Sequence, residues 1–330
     1  MTTLISSTDL RLPAEPDTLP LPPPEENDHW LEMRRTGIGG SDAAAALGLN
    51  RYCSAYRLWC EKRGLIEGFG GNERTLWGKL LEDVVATETA RRLDVDPIKP
   101  TVMYRSRSWP WMLANPDRFL AMSSGDLAVL EAKATDWRLG DEWDEQEGEA
   151  PLHYVLQVMH YLAVTGLHRG VLVCLVGGND LRMVDVQRDD ELIDALVEGE
   201  RSFWERVCSG QAPAVDGAPS TTEALKSRYC HPEDLTVDLP SEVAALAQLR
   251  PALAKERDEL SARIDAIENQ VREAMGDATA AYLPGFEKPL TWRPQDDTRL
   301  DAKALREADP ETWRRFARTK SIRVLRFPKS

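Results

Sequence analysis

Apolar and polar positions change period along this chain, and each change marks a different kind of element. Over residues 30–35 the spacing predicts a short helix. The run Gly37-Ile38-Gly39-Gly40-Ser41-Asp42 then leads into a second helix over 43–47, with Ser41 in N-cap position. Residues 56–63 read as a helix stopped by Gly64. Residues 72–93 form a longer amphipathic helix with Leu76, Leu80, Val84 and Val85 on one face. A period of two then takes over. Strands are predicted at 101–112, 118–122 and 126–133, separated by turn residues such as Asn115-Pro116 and Ser123-Ser124-Gly125. Pro151 suits the first turn of a helix running to Thr165. Strands at 170–176 and 181–187 and a helix at 189–208 follow. This order predicts an α/β fold of mixed α+β character, a central mixed sheet flanked by helices.

The two ends read differently. Residues 1–28 hold Pro13, Pro16, Pro20, Pro22, Pro23 and Pro24 among few apolar residues, the composition of a disordered tail or spacer. The globular core is expected over 29–210 and a polar linker over 211–240. An extension of unknown role, a long helix with a small α+β part, is expected over 241–330. There Leu246, Leu249, Leu253, Leu260, Ile264, Ile267 and Val271 recur at threes, fours and a seven, a heptad-like seam. Pro251 is expected to kink or restart this helix and Gly276 to end it. The favoured reading packs the seam within its own domain or in a hairpin; an intermolecular coiled coil is the alternative. A helix is expected near 301–318. From Thr312 onward the chain carries Arg314, Arg315, Arg318, Lys320, Arg323, Arg326 and Lys329 and no acid.

Composition narrows the function classes. The 330 residues hold 41 Lys and Arg against 55 Asp and Glu, a net charge of −14. That argues against general coating of nucleic acid, and leaves room for an enzyme with one basic groove on an acidic body. No run approaches the ~20 apolar residues of a membrane helix. The first residues lack the pattern of a secretory leader. The five cysteines are scattered, without a C-x-x-C pair, which fits a reducing cytoplasm.

The strand pair carries the candidate chemistry. Glu131 and Lys133 are two apart on one strand and project to one face. Asp117, just before the neighbouring strand, can lie beside Glu131. Two carboxylates so placed make a hard-oxygen site for Mg²⁺ or Mn²⁺, and a lysine beside them can orient water and stabilise developing negative charge. Alone, an E-x-K triplet also fits a solvated strand edge; here apolar Leu127, Val129 and Leu130 surround it. Three features join it. Glu82 sits on the preceding long helix. Gln157 and Tyr161 share a helix face at i and i+4. Arg34 and Ser41 flank the glycine turn at a helix start, the makings of a phosphate pocket. An acidic loop, Asp141 to Glu149, would repel a phosphate backbone if it faced the groove, and is expected outside it or as a mobile gate.

Taken together, Arg34-x6-Ser41, Gly78-x3-Glu82, Pro116-Asp117, Glu131-x-Lys133 and Gln157-x3-Tyr161 resemble the YqaJ-type viral recombinase family. These are relatives of the lambda-type alkaline exonuclease within the PD-(D/E)xK nuclease superfamily. The resemblance implies a restriction-endonuclease-like core and Mg²⁺-dependent 5′→3′ degradation of duplex DNA from an end. The product would be a 3′ single strand for annealing by a partner recombinase. It implies that Asp117, Glu131 and the Ala132 main-chain carbonyl bind metal, that Lys133 serves the nucleophilic water, and that Glu82, Gln157 and Tyr161 support the site. Arg34 and Ser41 would hold the 5′-phosphate. A trimeric ring is the oligomer this resemblance suggests. Relatives with an iron–sulfur cluster have closely spaced cysteines; Cys208 and Cys230 are too few and too far apart for one. A restriction-like or structure-specific endonuclease and a catalytically silent DNA-end-binding or scaffold protein are the other readings of the sequence.

Overall fold

The computed structural model describes residues 10–23, 27–68, 70–123, 125–319 and 323–327. The expectations at Pro24, Ser124, Lys320 and Lys329 lie outside the described residues. The chain divides into two units, Met1–Tyr229 and Cys230–Ser330.

The first unit opens with β1 (Asp17–Pro20), α1 (Asn27–Arg35), β2 (Ile38–Gly39), α2 (Gly40–Ala46), α3 (Ala55–Lys62) and α4 (Glu73–Leu93). Short strands follow: β3 (Asp96–Ile98), β4 (Val102–Arg105), β5 (Met112–Ala114) and β6 (Arg118–Ala121). Then come β7 (Leu127–Thr135), a 3-10 turn at Trp137–Glu142, α5 (Leu152–Thr165), β8 (Arg169–Val176), β9 (Asp180–Gln187), α6 (Asp190–Ser209) and α7 (Pro219–Arg228).

The main sheet has the order β3-β6-β7-β8-β9. Only β7 and β8 run parallel, joined through α5; the other neighbours are antiparallel. The mixed α/β class expected from the sequence is thus observed. Alternation along β7 splits its residues between two layers. Val129 packs with Phe119, Leu156, Leu162, Leu172 and Leu196 on the α5/α6 side. Ala128 and Leu130 pack with Val85, Ala86 and Ala90 of α4 on the other. A second, four-stranded sheet has the order β1-β4-β5-β2.

Several expectations need correction. Part of the proline-rich segment is built into the fold. β1 pairs antiparallel with β4, Leu12 is buried, and the Ala14 amide donates to the Thr165 carbonyl at 3.1 Å. Proline is tolerated on this edge strand. Gly166 permits the approach: its φ is +76°, and a Cβ there would lie 2.5 Å from the Ala14 nitrogen. The expected linker contains α7, which packs on α3. The Ser54 amide donates to the Ser220 hydroxyl at 3.0 Å, and Thr221 donates to the Ser54 hydroxyl at 2.6 Å. The expected strand over 101–112 is two strands, β4 and β5, linked by a turn. On α4, Leu76, Leu80 and Val84 are exposed, and only Val85 of the expected apolar face is buried. The sheet receives Val85, Ala86 and Ala90 instead, with Leu81 and Leu93 partly buried beside them. The acidic loop is tied down at one end, where Arg51 grips Glu142 through two bonds of 2.7 and 2.6 Å.

The second unit contains α8 (Ser241–Met275), β10 (Ala280–Ala281), β11 (Leu290–Thr291), α9 (Ala302–Ala308) and α10 (Pro310–Phe316). α8 runs without a break through Pro251, which is exposed, so the carbonyl that loses its donor is not sealed in a core. Its apolar seam is exposed except at half-buried Val271, rather than packed as expected. The expected helix near 301–318 is two short ones, because Asp309 caps α10 at the Thr312 amide and Pro310 starts it anew.

Candidate active site

Antiparallel pairing of β6 and β7 sets Arg118 opposite Leu130, which brings Asp117 level with Glu131. Asp117 Oδ2 accepts from the Ala132 amide at 2.8 Å, fixing the carboxylate against the strand. Glu131 is 3% exposed. Its Oε1 accepts from Lys133 Nζ at 2.5 Å and from Gln157 Nε2 at 2.6 Å. Its Oε2 is buried and, among the described residues, has no hydrogen-bond partner. Gln157 also donates to Tyr161 Oη at 3.0 Å, and Tyr161 donates to the Asn115 carbonyl at 3.3 Å. Lys133 Nζ lies 4.8 Å from the centre of the Tyr154 ring. The structure therefore gathers Asp117, Glu131, Lys133, Gln157 and Tyr161 into one connected group.

Burial is the first cause that raises Asp117 well above the usual carboxylate range; the neighbouring Glu131 charge adds to it and Lys133 opposes it. Glu131 is raised as well, by burial against the opposing pull of Lys133. Burial works against the Lys133 ammonium, but Glu131 and Asp117 outweigh it and the amine is held above its ordinary value. The site thus carries two carboxylates crowded together at a cost in free energy, with one cation to offset them. An unpartnered buried carboxylate oxygen beside a second carboxylate is a donor set that fits a hard divalent cation. Among the described residues no group of three or more His, Cys, Asp or Glu side chains gathers as metal ligands. The set is a carboxylate pair, with the Ala132 amide bound to Asp117.

Glu82 lies at the edge of this group. Arg118 donates to its Oε1 at 3.2 Å and also binds Asp83 and the Asp117 carbonyl. Glu82 still acts on both carboxylates through its charge, raising each.

Arg34 and Ser41 meet as the sequence suggested: Arg34 Nη2 donates to Ser41 Oγ at 2.9 Å. The helix start differs. The N-cap of α2 is Gly39, and Asp42 Oδ2 accepts the Gly39 amide at 3.0 Å. Asp42 also binds Arg34 Nη2 at 2.6 Å and Lys62 Nζ at 2.7 Å, while Lys62 donates to the Arg34 carbonyl at 2.7 Å. Burial disfavours the Asp42 carboxylate, but Arg34 and Lys62 outweigh it and hold it well below the usual range. The cluster has two cations to one anion. It adjoins the carboxylates through Tyr161, against which Gly40 lies so closely that a Cβ would be 2.5 Å from the ring.

Sequence reasoning missed Asp42, Lys62 and Arg118. Asp42 carried a signal, an acid three residues after a glycine at a helix start. Lys62 and Arg118 carried none, because their partners lie 20 and 36 residues away. A cavity of about 800 Å³ opens beside Tyr154, with Trp77 and Leu81 from α4, Ala134 and Thr135 from β7 and Arg57 from α3 in its wall. Among the described residues no helix is long and apolar enough to cross a membrane.

Known proteins share sequence with this chain. The profile of the YqaJ-like viral recombinase domain matches residues 29–168. "Uncharacterized protein YqaJ" of Bacillus subtilis (strain 168) is 34% identical over 301 residues, 90% of this chain and 92% of that protein. An alkaline exonuclease from Laribacter hongkongensis aligns at a TM-score of 0.45 and 16% identity, covering 56% of this chain and 93% of its own. A phage related exonuclease from Haemophilus somnus 129PT aligns at 0.42 and 14%, covering 56% and 100%. The profile match and the B. subtilis relative, which spans nearly the whole chain, give the classification: the chain belongs to the YqaJ-like viral recombinase family.

Proposed function

We propose that this protein is a metal-dependent exonuclease that degrades double-stranded DNA 5′→3′ from an end and leaves a 3′ single strand for annealing. The observation that carries the reading is the buried pair Asp117 and Glu131, with an orphan Glu131 oxygen and Lys133 donating to the same carboxylate. A purely structural role would not leave two carboxylates this crowded.

Asp117, Glu131 and the Ala132 carbonyl would hold Mg²⁺, or Mn²⁺ in its place. When bound, the cation polarises the scissile phosphate and lowers the pKa of a coordinated water. Lys133, kept in its ammonium form, donates to negative charge that builds as the phosphodiester is attacked. Gln157 holds Glu131 from the side of α5, and its bond to Tyr161 fixes that grip. Glu82 adds negative potential at the rim. Arg34, steered by Asp42, and the Ser41 hydroxyl receive the 5′-terminal phosphate, so that the chain end sets the register of cutting. The support for this last role is a guanidinium and a hydroxyl within 2.9 Å of each other beside the carboxylate group.

Linear duplexes labelled at either the 5′ or the 3′ terminus, incubated with Mg²⁺, test the polarity. Release of labelled mononucleotide from the 5′ label first, with the 3′-labelled strand surviving, supports the reading. Early release from the 3′ label overturns its direction.

A further inference from the structure

The seam of α8 runs in a single heptad register but for Leu249, which falls at the flanking g position. Val243, Arg250, Arg257, Ile264 and Val271 occupy a positions, and Leu246, Leu253, Leu260, Ile267 and Ala274 occupy d. Leu253, Leu260, Ile264 and Ile267 are 53%, 55%, 57% and 62% exposed. Pro251 falls at b, off the seam. Within the same unit Phe327 stacks on Arg250 at 4.7 Å and Met275 is buried at the end of the helix, while the d-position leucines stay exposed. The helix has 35 residues, a rod of about 50 Å.

The two arginines at a select the occupant. A parallel pair in register would set Arg250 against the partner's Arg250 and Arg257 against the partner's Arg257, like charges inside the seam. An antiparallel pair about a two-fold axis between Asp258 and Glu259 removes both clashes. Every layer is then an a position against a d position. Leu246 meets the partner's Val271, Leu253 meets the partner's Ile264, and Arg257 lays its aliphatic stem on the partner's Leu260. At the flanks Glu256 faces the partner's Arg263, and symmetry makes two such pairs. We propose that α8 is a self-association element that pairs antiparallel with α8 of a second copy of this chain, a closed two-fold contact.

Charge reversal in the full-length protein, read by sedimentation equilibrium, tests both the partner and the direction. The wild type should sediment as a self-associated species, and L260D should at least halve its mass. E256R and R263E should each weaken association about tenfold, since each turns two attractions into two repulsions. The double variant E256R/R263E should return to within about threefold of wild type. In a parallel pair Glu256 faces Ser261 and Arg263 faces Glu268, so the double variant would rescue nothing. A monomeric wild type, a mass unchanged by L260D, or a double variant no tighter than the singles each overturns the proposal. All these side chains are exposed, and helicity by circular dichroism confirms that each variant folds.

Discussion

Glu131 is the residue on which the site turns. It is buried on a strand whose other buried residues, Ala128, Val129 and Leu130, are apolar, and among the described residues it takes two donors on one oxygen and none on the other. Its neighbour Asp117 gives a testable linkage. Because burial and the Glu131 charge raise Asp117, the folded chain holds a proton that the unfolded chain has released. Metal-free stability therefore falls as pH rises from the ordinary carboxylate value through the raised one. Asp117→Asn abolishes that titration. In chelator the variant should be more stable than wild type at alkaline pH by about 1 kcal/mol or more. That is an upward shift of roughly 2–4 °C in thermal midpoint, fading once pH falls below the ordinary carboxylate value. A midpoint lower than wild type at every pH would show that the carboxylate is not strained. Arg34→Ala should slow digestion of 5′-phosphorylated ends at least tenfold more than 5′-hydroxyl ends, because only the former lose a charge-assisted contact. Equal slowing of both would remove Arg34 from end recognition.

At the level of elements, the sequence carried the site further than it carried the scaffold. The strand pair β6–β7 was legible from its period of two and from the turn between the strands. Once the strands are antiparallel, Asp117 must fall beside Glu131. The i, i+4 pair Gln157 and Tyr161 was legible for the same reason: a local period fixes a face. The seating of α4 was not. Leu76, Leu80 and Val84 face away from the sheet, and the contact is made by Val85, Ala86 and Ala90 with Leu81 and Leu93 partly buried beside them, a face one step round the helix from the expected one. Two substitutions separate these readings. Ala86→Leu should cost about 1–3 kcal/mol by overpacking, whereas Leu80→Gln should change stability by less than about 0.5 kcal/mol. Urea midpoints measure both, and the opposite order would return Leu80 to the core. β1 was hidden because proline-rich composition signals an open chain. The strand exists only because β4 offers an edge and Gly166 leaves room for Ala14.

The molecule as a whole splits its core unequally. All three buried apolar clusters belong largely or wholly to Met1–Tyr229, whereas α8 buries only Met275. A chain ending at Tyr229 should therefore unfold cooperatively with a midpoint close to that of the first transition of the full protein. A chain ending at Gly210 loses α7, and with it the bonds of Ser220 and Thr221 to Ser54 and the buried Ala224, and should be less stable by about 2 kcal/mol or more. Calorimetry of the two truncations checks this; equal midpoints would make α7 dispensable. This boundary was illegible from composition, since the polar stretch that reads as a linker is held by hydrogen bonds to a helix 166 residues earlier.

Asp117 and Glu131 are proposed to form a metal site for cutting duplex DNA from its ends. The most direct measurement incubates the wild type and Asp117→Ala with Mg²⁺ on linear 5′-phosphorylated duplex and on the same sequence as a covalently closed circle. The wild type should consume the linear DNA and spare the circle, and the variant, still binding DNA, should consume neither. Cleavage of the circle, or full activity in Asp117→Ala, would contradict this proposal.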